Sequence, residues 1–264
     1  MLRIENVKVY DLAESVIASG YAMGLNLDDF KGRAEAFQKY VIDKGEWIYD
    51  FIKYHNRKKS DGWSFDHICK EKGILEKGDV DELKQVLGDL NRIGKLVQAS
   101  KNSKDVKCHH NFMTGIRVSF DIVYPNYISP EMQRYHWFDI VTSSSKMHRI
   151  TKMDFDKCCN EYVTQETKDN MKKYIKEYND LANMIVPSSV EYTDRHSKEM
   201  YKAFMKVISN CPQGVELFMR VSTNYMQLQT MYNQRKNHKL REDWGNFCKF
   251  VEGLPLAEML ILGE

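Results

Sequence analysis

Apolar positions recur with two different periods along the chain. Ile4, Val7 and Val9 lie near alternation, which predicts a short strand over residues 1–10. Leu12, Val16 and Ile17 then return at helical spacing. Phe37, Val41, Trp47 and Phe51 form the apolar stripe of a helix expected over about 30–55, and Val80, Leu83, Val86, Leu87 and Leu90 that of a helix over 80–98. Between them, residues 56–66 (NRKKSDGWSFD) are polar and glycine-broken and read as a loop, and residues 100–107 (SKNSKDVK) read as a mobile connection. The clearest strand is Ile116–Val123, where apolar and polar residues alternate. Pro125 and Pro130 bound a loop, after which a helix or turn carries EMQRYHWFDIV.

Helices are expected over 165–184 and 197–210, the second capped by Asp194 or Ser197. The longest helix is expected over 214–239 and a last one over 243–252. These elements predict an α+β fold: a twisted antiparallel sheet with helices and a long C-terminal helix. No repeat or linker divides the sequence, so residues 1–264 read as a single domain.

Composition narrows the function classes. With 42% hydrophobic residues the chain can bury a sizeable core, and a net charge of only +2 argues against a large nucleic-acid footprint. An anionic ligand therefore needs a local cluster of cations. No segment has the roughly 20 apolar residues of a membrane span, and the N-terminus does not read as a signal peptide. The six cysteines form no disulfide framework and read as reduced thiols, with Cys158-Cys159 as packing, in a cytoplasmic protein.

Candidate chemistry lies in three places. On a helix spanning 214–239, Phe218, Val221, Tyr225, Leu228 and Tyr232 form a core stripe; Asn224, Gln227, Met231, Gln234, Arg235 and His238 share a second face. A plain wet face is one reading of that second set. The other is a ligand face, since amides, a guanidinium and an imidazole read base edges and phosphates. Cys108-His109-His110 is a polar loop rather than a metal centre, for no second ligand pair has suitable spacing. The third place is Gln133-Arg134-Tyr135-His136 with Ser143-Ser144-Ser145-Lys146-Met147-His148-Arg149, where Lys146, His148 and Arg149 cluster with three hydroxyls and suit a phosphate. Trp137 and Phe138, between these runs, read as core.

The run Pro212-x11-Asn224-x8-Asn233-x-Arg235-x-x-His238 resembles the C-terminal signature of the flavin-dependent thymidylate synthases. Asn224, preceded by Ser222-Thr223, stands where that family has its Thr-Val-Asn, and Asn233 and Arg235 match its last Asn and Arg. The family's second Arg and middle Asn are Met226 and Thr230 here. The order of elements from His110 to Arg149 is similar to the family's central region. The resemblance implies an FAD-dependent methyltransferase that moves a one-carbon unit to uracil C5 of dUMP, with NADPH and methylenetetrahydrofolate as co-substrates and no protein nucleophile. It implies that Arg235 polarises the pyrimidine, that Asn224, His238, His110 and His136 contact flavin, and that Arg149, Lys146, Ser145, Arg134 and Gln133 hold the nucleotide. It also implies a homotetramer. Two alternatives stay open: a related pyrimidine-modifying enzyme such as a hydroxymethylase, and a nucleotide-binding or interaction protein of the same fold without catalysis.

Overall fold

The structure, a computed structural model, describes residues 1–102, 109–184 and 190–263. Cys108 and most of the 100–107 connection lie outside the described residues. The fold is α+β with a four-stranded antiparallel sheet, as the sequence predicts. Its contacts gather into two units. The first comprises Met1–Val7, Ser119–Ser222 and Asn237–Phe247; the second comprises Lys8–Val118, Thr223–Lys236 and Cys248–Glu264.

The sheet has the order β1-β2-β4-β3, with β1 Arg3–Tyr10, β2 Arg117–Pro125, β3 Asp139–Ser143 and β4 Glu216–Asn224. In β2, Val118, Phe120, Ile122 and Tyr124 are buried while the residues between them are half-buried, so the alternation in the sequence is the inward face of a strand. β3 is an edge strand exposed along its whole length. It pairs with β4 in the register Asp139↔Ser222, Ile140↔Val221, Thr142↔Arg220, Ser143↔Met219, which leaves Val141 as an extra, unpaired residue.

β4 corrects the expected helix over 214–239. Leu217, Met219, Val221 and Thr223 are buried at every second position, which is the period of a strand. Phe218, assigned to the core stripe, is 50% exposed. Helical structure begins only at Tyr225, and the longest helix among the described residues is instead Lys77–Asn102, of 26 residues.

Within the first unit, short segments follow β2 and β3: a 3-10 turn at Asn126–Ile128 and α6 (Ser129–Met132) after the first, α7 (Lys146–Arg149) and a 3-10 turn at Ile150–Lys152 after the second. Two longer helices, α8 (Gln165–Ala182) and α9 (Val190–Ser209), pack on each other over a core of Ile150, Phe155, Met171, Val207 and Val215. Cys158, Cys159 and Cys211 lie against that core as expected of packing thiols. Thr164 caps α8 by accepting from the Thr167 N–H at 3.3 Å. α9 starts earlier than the sequence suggests, so Asp194 and Ser197 lie inside the helix rather than at its cap. Gly214 is sterically required, because a Cβ there would stand 2.5 Å from both Asn160 Oδ1 and Val163 Cγ2.

The second unit is helical: α1 (Leu12–Ala18), α2 (Leu27–Phe37), α3 (Glu46–Ser60), α4 (Phe65–Glu71), α5 (Lys77–Asn102) and α10 (Tyr225–Arg235). The helix expected over 30–55 is broken. α2 ends at Phe37, a π turn covers Gln38–Ile42, and Gly45 enters α3 at φ 49°, a backbone state open to glycine. The aromatic stripe nevertheless continues, with ring centroids of Tyr40–Trp47 at 6.2 Å and Trp47–Phe51 at 5.2 Å. The loop expected at 56–66 shrinks to a turn, since α3 runs to Ser60 and Ser64 caps α4 from the His67 N–H at 3.3 Å. One buried carboxylate, Asp89, ties α5 to its neighbours through bonds from Arg33 and Arg92, and Arg92 reaches on to the Val16 carbonyl at 3.1 Å. The last helix, α11 (Arg241–Glu252), and a π turn at Glu258–Leu262 complete the chain.

Candidate functional site

The hydroxyl-rich basic run forms one tight turn of the first unit. Ser144 clamps it to β4 twice: its N–H donates to the Phe218 carbonyl at 2.8 Å, and its hydroxyl accepts from the Phe218 N–H at 3.1 Å. Ser145 then caps α7 by accepting from the His148 N–H at 3.3 Å. This places Lys146, His148 and Arg149 in one exposed or half-buried turn beside three consecutive serines. The Arg149 guanidinium lies over the exposed Phe218 ring, 5.0 Å from its centroid. Among the described residues no carboxylate pairs with Lys146 or Arg149. The turn therefore presents two uncompensated cations and several hydroxyl donors, the donor set of a phosphate site.

Gln133, Arg134 and His136 sit on the exposed connection from α6 to β3. Gln133 donates to the Ser129 hydroxyl at 3.2 Å. His136 and Trp137 form a tilted ring pair with centroids 5.6 Å apart. Phe138 is core, as expected, but Trp137 is 42% exposed and lies at the surface. His238 is packed behind α6. Its Nε2 is 3.6 Å from a Glu131 carboxylate oxygen, its Nδ1 accepts from the Leu240 N–H at 3.2 Å, and its ring meets Trp244 edge-on at 6.1 Å. The Trp244 indole N–H donates to Glu131 at 2.8 Å. Glu131 and Trp244, which were not among the sequence candidates, thus fix the orientation of His238.

Asn224 and Arg235 belong to the second unit, at opposite ends of α10. Asn224 is buried at the strand–helix junction, where its side-chain oxygen accepts from the Gln227 N–H at 2.9 Å and caps the helix. Arg235 is half-buried in the last turn, about 16 Å along the axis from Asn224. The two do not share the long helix face that the sequence reading gave them, because Asn224 ends a strand. His110 is buried and leads into the 3-10 turn Asn111–Thr114, which packs against α10.

Thiol chemistry elsewhere is muted. Burial pushes Cys69 and Cys248 up to about 11, so both stay protonated at neutral pH. No three His, Cys, Asp or Glu side chains among the described residues gather to hold a metal ion. No helix among the described residues is long and apolar enough to cross a membrane.

No family model matches the sequence, and no curated protein does. Among solved structures, the chain is similar to thymidylate synthase X (ThyX) from Helicobacter pylori with FAD and dUMP: TM-score 0.36, 12% identity, over 65% of this chain and 92% of that one. A second structure of the flavin-dependent enzyme from the same organism, also complexed with FAD and dUMP, gives TM-score 0.37 and 11% identity over 65% and 93%.

Proposed function

We propose that this protein is a divergent relative of the flavin-dependent thymidylate synthases that holds dUMP, or a related pyrimidine nucleotide, by its phosphate on the Ser145–Arg149 turn. The observation that carries this reading is the clamped turn itself: Lys146 and Arg149, unpaired with any carboxylate among the described residues, beside the hydroxyls of Ser143, Ser144 and Ser145. A nucleotide monophosphate is the ligand such a turn suits, since its charge matches two cations and its oxygens take the hydroxyl donors. The proposed reaction is transfer of a one-carbon unit to uracil C5, with methylenetetrahydrofolate as carbon donor, NADPH as co-substrate and a homotetramer as the working form.

For the flavin, the reading draws support from His136, whose ring pairs with the exposed Trp137, while Arg134 lies on the same connection for the nucleotide. When bound, reduced FAD supplies the hydride that completes the methyl group. The chain's own part is binding and orientation. Arg149 and Lys146 fix the phosphate, Ser145 supplies a hydroxyl, and Gln133 and His238 stand on or behind the neighbouring connection. A second reading, nucleotide binding without transfer, is favoured by one observation: the Asn224 side chain is taken up in capping α10.

The test is calorimetric titration with dUMP, alongside a visible absorption spectrum of the protein as purified. Arg149→Ala should weaken dUMP binding at least tenfold, whereas Lys157→Ala, an exposed lysine of the same unit, should not. Equal affinities in the two variants would remove the phosphate role from Arg149. A colourless protein that binds dUMP would favour the second reading.

A further inference from the structure

The second unit contains a cavity of about 900 Å³ bounded by α3, α4, α5 and Met259. That is at the upper end of small-ligand sites. Its floor is one face of α5, where Lys84, Gly88, Asn91, Lys95 and Gln98 follow one another at helical spacing with Leu87 and Leu90 beside them. A stripe facing a packed neighbour is ordinarily apolar, and one facing water ordinarily mixes Glu with Lys. This one is neither.

The glycines sharpen the point. Gly88 and Gly94 both lie in the interior of α5, where glycine disfavours the helix. A Cβ built at either position meets nothing within 4 Å. The chain's own packing therefore does not require glycine there. What the glycines do is leave the backbone bare and the floor of the cavity low.

The walls are aromatic. Trp63, Phe65 and His55 line the cavity. Phe65 is braced edge-on by His55 at 5.4 Å and by Phe51 at 6.3 Å. Trp63 is held by the Lys58 ammonium 4.1 Å from its ring and by His67 at 4.4 Å. Charge is one-sided: Lys59, Lys84 and Lys95 line the space, and no Asp or Glu does among the described residues. Lys84 and Lys95 stand about 16 Å apart along the helix, so a phosphate group can meet a lysine at either end of the floor.

We propose that this cavity binds a phosphorylated heteroaromatic molecule of the nucleotide class, its ring against Trp63 and Phe65 and its phosphates along Lys84 and Lys95. Asn56 and Asn91 offer amides to the ring edge, as a heteroaromatic needs and a plain hydrocarbon does not. Stacking on aromatic rings combined with lysine-borne charge is the general recipe for holding a base and its phosphate together. The site is independent of the nucleotide turn proposed above.

The experiment is calorimetry and tryptophan fluorescence on the full chain, with ADP and UDP as probes and adenosine and inorganic pyrophosphate as half-ligands. At least one nucleotide should bind and quench fluorescence, and each half-ligand should bind at least tenfold more weakly. Gly88→Leu fills the floor and replaces a poor helix former with a good one, so it should fold and yet lose at least tenfold in affinity. Lys84→Glu should do the same by charge. The same titrations on Arg149→Ala, which removes the turn proposed to hold a pyrimidine nucleotide, should still show ADP binding and quenching, so failure of the dUMP site and failure of this cavity are read separately. The proposal is overturned if neither nucleotide binds at millimolar concentration, if pyrophosphate binds as tightly as the nucleotides, or if Gly88→Leu binds them like the wild type.

Discussion

Leu2 and Asp243 are joined across 241 positions of sequence: the Leu2 backbone N–H donates to an Asp243 carboxylate oxygen at 2.8 Å, with both residues buried. The second Asp243 oxygen accepts from the Tyr127 hydroxyl at 2.7 Å, and Asn160 donates to that hydroxyl at 3.4 Å. Burial, then the Asp243 contact, pushes the Tyr127 phenol well above its ordinary range, so it stays neutral and donates to the carboxylate. One carboxylate thus satisfies two donors of the first unit. Asp243→Ala strands both, and the expected cost is about 2–4 kcal/mol. Urea unfolding monitored by circular dichroism measures it. A loss under about 1 kcal/mol would mean that water replaces the carboxylate.

Asp121 gives a pH dependence of defined sign. The Asn6 amide donates to it at 2.6 Å and Arg220 donates at 3.1 Å, and these two contacts hold its carboxyl below the ordinary value. Between the folded and unfolded values the unfolded chain binds more protons, so stability rises with pH across that window. The contribution is present above about pH 4, the unfolded carboxyl value, and is lost as pH falls through the folded one. Asp121→Asn should flatten the acid limb of a melting-temperature profile below about pH 4 and change little at pH 8. An unchanged acid limb would assign the acid sensitivity to other carboxylates.

Gly88→Ala tests the reading of α5 without any ligand. Open space surrounds the position, so the substitution changes helix propensity alone. It should stabilise the chain by about 1 kcal/mol. A destabilised variant would show that the backbone at Gly88 is closely approached after all.

Three parts of the first half were readable because their signals agree, whereas the stripe over 30–55 ran on across the break at 38–45 and the polar run 56–66 concealed the end of α3 and the start of α4. Leu12, Val16 and Ile17, the apolar positions of α5 and the alternation of β2 each match one period only. The run 214–239 misleads because Phe218 and Tyr225 complete a helical stripe by coincidence, while Leu217, Met219 and Val221 carry the strand period. Thr223, buried between Val221 and Asn224, was the available clue, since a β-branched run ending in Asn marks a strand that stops at a helix cap. The basic turn was legible as a cluster in sequence. Its clamp through Ser144 and Phe218 was not, because it depends on strand pairing between residues 74 positions apart. The cavity was the least legible: Trp63 and Phe65 lay in what reads as a polar loop, and glycines inside a helix carry no period.

The two units are interleaved along the chain, and this sets the order of events during synthesis. Met1–Val7 leaves the ribosome well before Ser119–Ser222 and Asn237–Phe247, the segments it belongs with. The Leu2 amide cannot reach its acceptor until Asp243 has emerged, so a segment made early is secured late. The helical unit is in the same position, waiting for Thr223–Lys236 and Cys248–Glu264. A nascent chain halted at residue 200 can complete neither unit, and its unpaired apolar strands are left open to aggregation.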